Sequence, residues 1–287
     1  MTTPPLSISP DPLFTDRTTG RALDYRGWNQ RYGINEWFGA AAGEGLDQKI
    51  DKQPYHGVRT ASQPLPPEMD DLIRLHFLCL NRRVTSVLEF GVGKSTRVFA
   101  EALAHNEAEH GAYVREQLRR TDPFRLAAVD NYADWVAQCH RQLPEGLARR
   151  VDFTITDVEM TTFNGRICTA YAELPNVCPD LIYLDGPSQF GVKGAVRGIS
   201  TAREDRLPMA ADLLLLEHFL LPGTLIVVDG RTANARFLRA NFQRDWTYRA
   251  YPDYDIHTFE LTEPPLGRWN RRQLAYCLPA PALTAVP

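Results

Sequence analysis

Glu89, Gly91, Gly93, Ser95 and Thr96 stand together in the stretch VTSVLEFGVGKSTRVFAEAL, residues 84–103. An apolar run ends in an acid. Two glycines follow at alternate positions, then two hydroxyl residues, and a helical pattern begins. Glycine lets bare backbone approach a ligand, and a helix N-terminus favours negative charge. Such a turn can serve a phosphate, a dinucleotide, or a ligand that carries a cation and a carboxylate together. Four more acids end apolar runs downstream: Asp130 in FRLAAVD, Asp157 in VDFTITD, Asp185 in DLIYLD and Asp229 in GTLIVVD.

Short apolar runs alternating with helical patterns imply a parallel sheet covered on both faces. The helical patterns are PPEMDDLIRLHFLCLN, STRVFAEALAHN, YADWVAQCHRQL, MAADLLLLEHFL and ANARFLRANF. DIHTFELTE and RRQLAYCLP are expected as antiparallel strands at the C-terminal edge. In open α/β sheets ligands bind outside the carboxyl ends of the strands. Five acids in register there suggest a polar cleft.

The triplet GKS invites a phosphate-loop reading, but the glycine required five positions before the Gly of GK is Leu88, inside the first strand. A dinucleotide fingerprint needs a third glycine where Thr96 stands, and Glu89 would set a negative charge near a bound pyrophosphate. A ligand without phosphates fits better. S-adenosylmethionine (SAM) is one, with a cationic sulfonium and a zwitterionic methionine end. Here the chain resembles the class I SAM-dependent methyltransferases over roughly residues 66–260, through the E/D-x-G-x-G pattern of Glu89 to Gly93 and the ordered strand-end acids. The DGP and VVDGRTANARFL segments resemble bacterial small-molecule and sugar O-methyltransferases.

That resemblance implies a Rossmann-like three-layer α/β/α sandwich with a mostly parallel seven-stranded sheet and an antiparallel C-terminal edge. It implies SAM as cofactor, bound by Glu89, Gly91, Gly93, Ser95, Thr96, Asp130 at the ribose hydroxyls and Asp157 near the adenine. Asp130 lies roughly forty residues beyond the glycine turn, where about twenty is usual. An insertion or a lengthened helix accounts for the excess. Asp185, His257 and Asp229 are the catalytic candidates, and Asp185, Asp229 and Asn234 could hold Mg²⁺ or another divalent cation through oxygen ligands. Asp229 and Asn234 could instead brace the next helix. Lys193 and Arg231 are candidates to steer an acidic substrate, and His56 could enter the pocket. His76, His140 and His218 read as structural.

The expected acceptor is a saccharide or another small hydroxylated metabolite. Two rivals remain: an NAD-dependent oxidoreductase or epimerase on a similar sheet, and a noncatalytic SAM-fold binding subunit. The missing third glycine and the lack of a Tyr-x-x-x-Lys pair oppose the first. The retained acids oppose the second.

Residues 1–64 read as an N-terminal extension and candidate lid, with Trp28, Tyr32, Trp37 and Phe38 available to pack it down. Residues 65–280 form the main domain, and 281–287 a flexible tail. The net charge of -3 gives no basic surface for nonspecific nucleic-acid binding. The five cysteines are scattered and odd in number, which fits a reducing, cytoplasmic compartment better than a disulfide framework. No apolar run reaches the roughly 20 residues of a membrane span. The expected partner is the small acceptor, with homo-oligomerisation left open.

Overall fold

The computed structural model describes residues 11, 13–39, 67–203 and 205–278. The expectation for His56, residues 1–10, 12 and 40–64 of the candidate lid 1–64, and the tail 281–287 lie outside them.

In chain order the elements are α1 (Tyr25–Tyr32), α2 (Met69–Asn81), β1 (Ser86–Phe90), α3 (Lys94–Gln117), β2 (Arg125–Asp130), α4 (Ala133–Gln142) and α5 (Glu145–Ala148). There follow β3 (Val151–Ile155), β4 (Val158–Phe163), β5 (Arg166–Tyr171), β6 (Leu181–Leu184), β7 (Val192–Lys193) and α6 (Asp212–Leu216). The chain continues through β8 (Leu225–Asp229), α7 (Thr232–Asn241), β9 (Trp246–Tyr251), β10 (Ile256–Leu261) and α8 (Gly267–Cys277).

The main sheet has seven strands in the order β3-β2-β1-β6-β8-β10-β9. β10 runs antiparallel to both of its neighbours, and the remaining pairings are parallel. The fold is therefore the expected Rossmann-like α/β arrangement. Strand order reverses beside β1, so the crevice between β2 and β6 over the end of β1 is the topological switch point.

Two apolar cores flank the sheet. Val87, Leu126, Leu181 and Val227 pack with α2, α3 and α4 on one face. Leu88, Phe90, Ile182, Leu184 and Val228 pack with α6 and α7 on the other. Period-two alternation in strands buried on both faces explains why VLEF, LIYL and LIVV are apolar nearly throughout.

One local expectation is corrected, and an edge strand and a hairpin are added to those the sequence suggested. RRQLAYC is helix α8 rather than a strand, and its Leu274, Tyr276 and Cys277 are buried. The edge strand is WTYRAY, with DIHTFEL inserted between it and β8. The stretch after β3 forms a hairpin, β4 and β5, which joins β7 in a separate three-stranded sheet. Its turn is Asn164-Gly165, both at positive φ, the strongest short-range hairpin signal. The long gap before Asp130 is a lengthened helix: α3 runs for 24 residues.

Residues 13–39 lie on the α2 and α3 face, with Leu13 and Ile34 fully buried. The Trp28 indole donates to His76 Nδ1 at 3.1 Å, and burial lowers the His76 pKa to about 3. Arg97 donates to the Trp37 carbonyl at 2.7 Å and lies over the Trp37 and Phe38 rings. Buried Arg74 pairs with Asp70 and Asp71 and bonds the Tyr25 hydroxyl. Among the described residues, no helix is long and apolar enough to cross a membrane.

Candidate functional site

The glycine turn is held by hydrogen bonds to β2, α3 and α4. The Gly91 amide donates to Val129 O at 2.9 Å, and the Val92 amide donates to Asp130 Oδ2 at 2.8 Å. The Trp135 indole donates to the Val92 carbonyl. The Gly93 amide donates to Thr96 Oγ1 at 3.0 Å, and that hydroxyl donates to Glu89 Oε2 at 2.7 Å. Ser95 Oγ donates to Glu89 Oε1 at 2.5 Å. Glu89 thus ties β1 to the first turn of α3. It is fully buried, and burial raises its pKa to about 8 against the pull of the two hydroxyls, with Asp185 and Asp130 adding repulsion.

The two glycines have different jobs. Gly91 has φ +94°, and a Cβ there would lie 3.0 Å from the backbone of Asp185 and Gly186. It is required by the approach of the loop after β6. Gly93 is extended, and an added Cβ would meet nothing nearer than Ser95 Oγ at 3.9 Å. Among the described residues, the space beside Gly93 is open.

Asp130 ends β2 and is buried. Its second oxygen accepts the Tyr132 amide at 2.8 Å. Burial raises its pKa, opposed by the Val92, Tyr132 and Asn131 amides. A carboxylate has about four lone-pair sites, so Asp130 can accept a further bond beside these amides. Opposite, Arg231 grips the loop after β6. It donates to Pro187 O at 3.0 Å and Asp185 O at 2.5 Å, and its Nε lies 3.6 Å from Asp185 Oδ1. This is a clamp on the protein's own loop, where the sequence suggested a substrate-steering cation. The same loop reaches back over the crevice: Asn131 Nδ2 donates to Gly191 O at 2.9 Å.

The remaining candidates divide. The Asp185 side chain is about half exposed at the end of β6, beside Arg231. Asp157 is exposed and pairs with Lys193 at 2.7 Å, so Lys193 closes an ion pair. Asp229 Oδ2 accepts from Tyr183 OH at 2.5 Å. His257 is buried, with Nε2 2.8 Å from Thr232 Oγ1 and Nδ1 2.9 Å from Tyr248 OH.

Register separates Asp229 from His257. Asp229 lies opposite Ile256 and His257 opposite Val228. The two side chains therefore project to opposite faces of the sheet. Asn234 is fully buried, and its amide makes reciprocal bonds with Ala210 N and O, both at 3.1 Å. It braces α7 against the chain before α6, so its amide is already engaged away from the expected Asp185, Asp229 and Asn234 oxygen set. Among the described residues, no three His, Cys, Asp or Glu side chains are grouped to hold a metal ion.

Sequence reasoning missed Tyr171, Trp135 and Asp212. Asp212 accepts the Tyr171 amide at 2.9 Å, and burial raises its pKa to about 7. FNGR, flanked by apolar and β-branched residues, was the available signal for the hairpin that carries Tyr171.

No protein-family model matches the chain, and no curated protein matches it. Among solved structures the chain is similar to the O-methyltransferase TomG of Streptomyces achromogenes, involved in tomaymycin synthesis and crystallised with SAM. Identity there is 15% and the TM-score 0.37, over 85% of this chain and 92% of that one. It is similar to a methyltransferase from Geobacter sulfurreducens at 13% identity and TM-score 0.38, over 69% of this chain and 82% of that one. It is also similar to the SAH-bound methyltransferase PaMTH1 of Podospora anserina at 12% identity and TM-score 0.38, over 69% of this chain and 80% of that one.

Proposed function

We propose that the chain is a SAM-dependent methyltransferase that O-methylates a saccharide or another small hydroxylated metabolite. The observation that carries this reading is the braced Glu89 to Thr96 turn at the switch point, with Asp130 on one side and Asp185 on the other. The open approach beside Gly93 at the start of α3 suits a carboxylate. The acids Asp130 and Asp185 suit ligand hydroxyls and cationic groups. The absent third glycine disfavours a pyrophosphate.

SAM, when bound, supplies an electrophilic methyl group. The chain must align an acceptor hydroxyl with it and take up the proton. Asp185 is the group we assign to that task; its half-exposed side chain at the end of β6 and the hold of Arg231 on its loop support the reading. Asp229 contributes by holding Tyr183. His257 is better read as a lock between α7 and β9 than as the base, since both ring nitrogens are engaged. A divalent cation would need ligands other than Asn234.

The test is transfer of labelled methyl from SAM to a panel of saccharides, phenols and hydroxy acids. Product on any hydroxyl that is lost in Asp185→Asn supports the reading. Methylation confined to amines or thiols would overturn the oxygen assignment.

A further inference from the structure

We infer that the Tyr171 hydroxyl is a ligand-binding group of the crevice, to be completed by the ribose hydroxyls of an adenosyl cofactor. The inference rests on the proposed SAM site and adds a residue from the β4–β5 hairpin to it.

Tyr171 ends β5, and only 6% of it is exposed. Its ring packs on Phe90 with centroids 5.7 Å apart. Its hydroxyl is buried and, among the described residues, makes no hydrogen bond. Buried hydroxyls are nearly always partnered, so an orphan calls for an explanation. Its position supplies one. A Cβ on Gly186 would lie 2.8 Å from the hydroxyl, 2.7 Å from Gly91 N and 2.9 Å from Phe90 C. The hydroxyl therefore stands where the end of β1 meets the loop after β6, at the switch point itself.

The charges around it define the ligand. Burial holds the phenol well above its ordinary pKa, and Asp130 is the foremost charged contributor. Asp212 and Asp185 act in the same direction, and Arg231 acts against them. A phenol among carboxylates stays protonated and offers a proton. Asp130 keeps lone-pair capacity beyond its bonds to the Val92, Tyr132 and Asn131 amides. A group that accepts from Tyr171 and donates to Asp130 must do both, as a hydroxyl does. A vicinal pair of hydroxyls can engage the two residues at once.

The test combines thermal melts with calorimetric titration of wild type and Tyr171→Phe. The ligands are S-adenosylhomocysteine and its 2′,3′-dideoxy form. Free Tyr171→Phe should melt no lower than wild type, because no bond is lost. Its affinity for S-adenosylhomocysteine should fall about fivefold to tenfold, the worth of one hydrogen bond, while its affinity for the dideoxy form should be nearly that of wild type. A lowered melting temperature would overturn the proposal by showing that the hydroxyl has a structural partner in the free protein. Unchanged affinity, or an equal loss for both ligands, would overturn it too. Wild type that binds neither adenosyl ligand would instead remove the SAM site, and this assignment with it.

Discussion

Replacing Glu89 by Gln should abolish a specific pH dependence of stability. Glu89 is fully buried, its folded pKa is about 8, and its ordinary value is 4.5. The folded state therefore holds a proton that the unfolded chain releases between these values. Stability is fully present below about pH 4.5 and is lost as pH rises toward 8. The limiting slope is about 1.4 kcal/mol per pH unit. From pH 6 to pH 8 the wild type should thus lose about 2–3 kcal/mol relative to Glu89→Gln. Gln can still accept from one of the Ser95 and Thr96 hydroxyls and donate to the other, so its fold should survive. Urea unfolding of both ligand-free proteins at half-unit pH steps measures the difference. A difference that stays constant from pH 6 to pH 8 would mean that Glu89 is ionised throughout and that burial does not raise its pKa.

Other perturbations separate structure from binding. Gly91→Ala should cost about 2–4 kcal/mol, through positive φ and the 3.0 Å approach of the Asp185–Gly186 backbone. Gly93→Ala should change stability by less than about 1 kcal/mol but weaken SAM, so paired melts and titrations distinguish the glycines; equal stability losses would contradict the geometry. Arg231→Met should free the loop after β6 and reduce turnover more than it lowers the melting temperature, which labelled-methyl kinetics would show. Burial lowers the His257 pKa, so it should stay neutral at pH 7. His257→Gln should then keep the pH–rate profile of wild type, and loss of a limb of that profile would restore His257 as the base.

The sheet was legible because its strands are buried on both faces and read as short apolar runs. The acids at their ends were legible because polar side chains stop such runs. Their directions were not legible. Asp229 and His257 look like neighbours in composition, yet β10 runs antiparallel beside β8 and register sends them to opposite faces. Asn234 reads equally well as ligand or brace until its bonds to Ala210 are seen. RRQLAYC alternates enough to pass for a strand, but its apolar residues Leu274 and Cys277 are three apart and share a buried helical face. In the sequence Gly91 reads as room for a ligand, and in the fold it makes room for the loop after β6. That contact is between segments about ninety residues apart, which no local pattern encodes.

The most direct measurement is calorimetric titration of the full chain with SAM, S-adenosylhomocysteine, NAD and ATP. The expected result is micromolar binding of the two adenosyl sulfur ligands and none of the other two. Binding of NAD or ATP in their place would contradict it, and the turn from Glu89 to Thr96 would be a phosphate site after all.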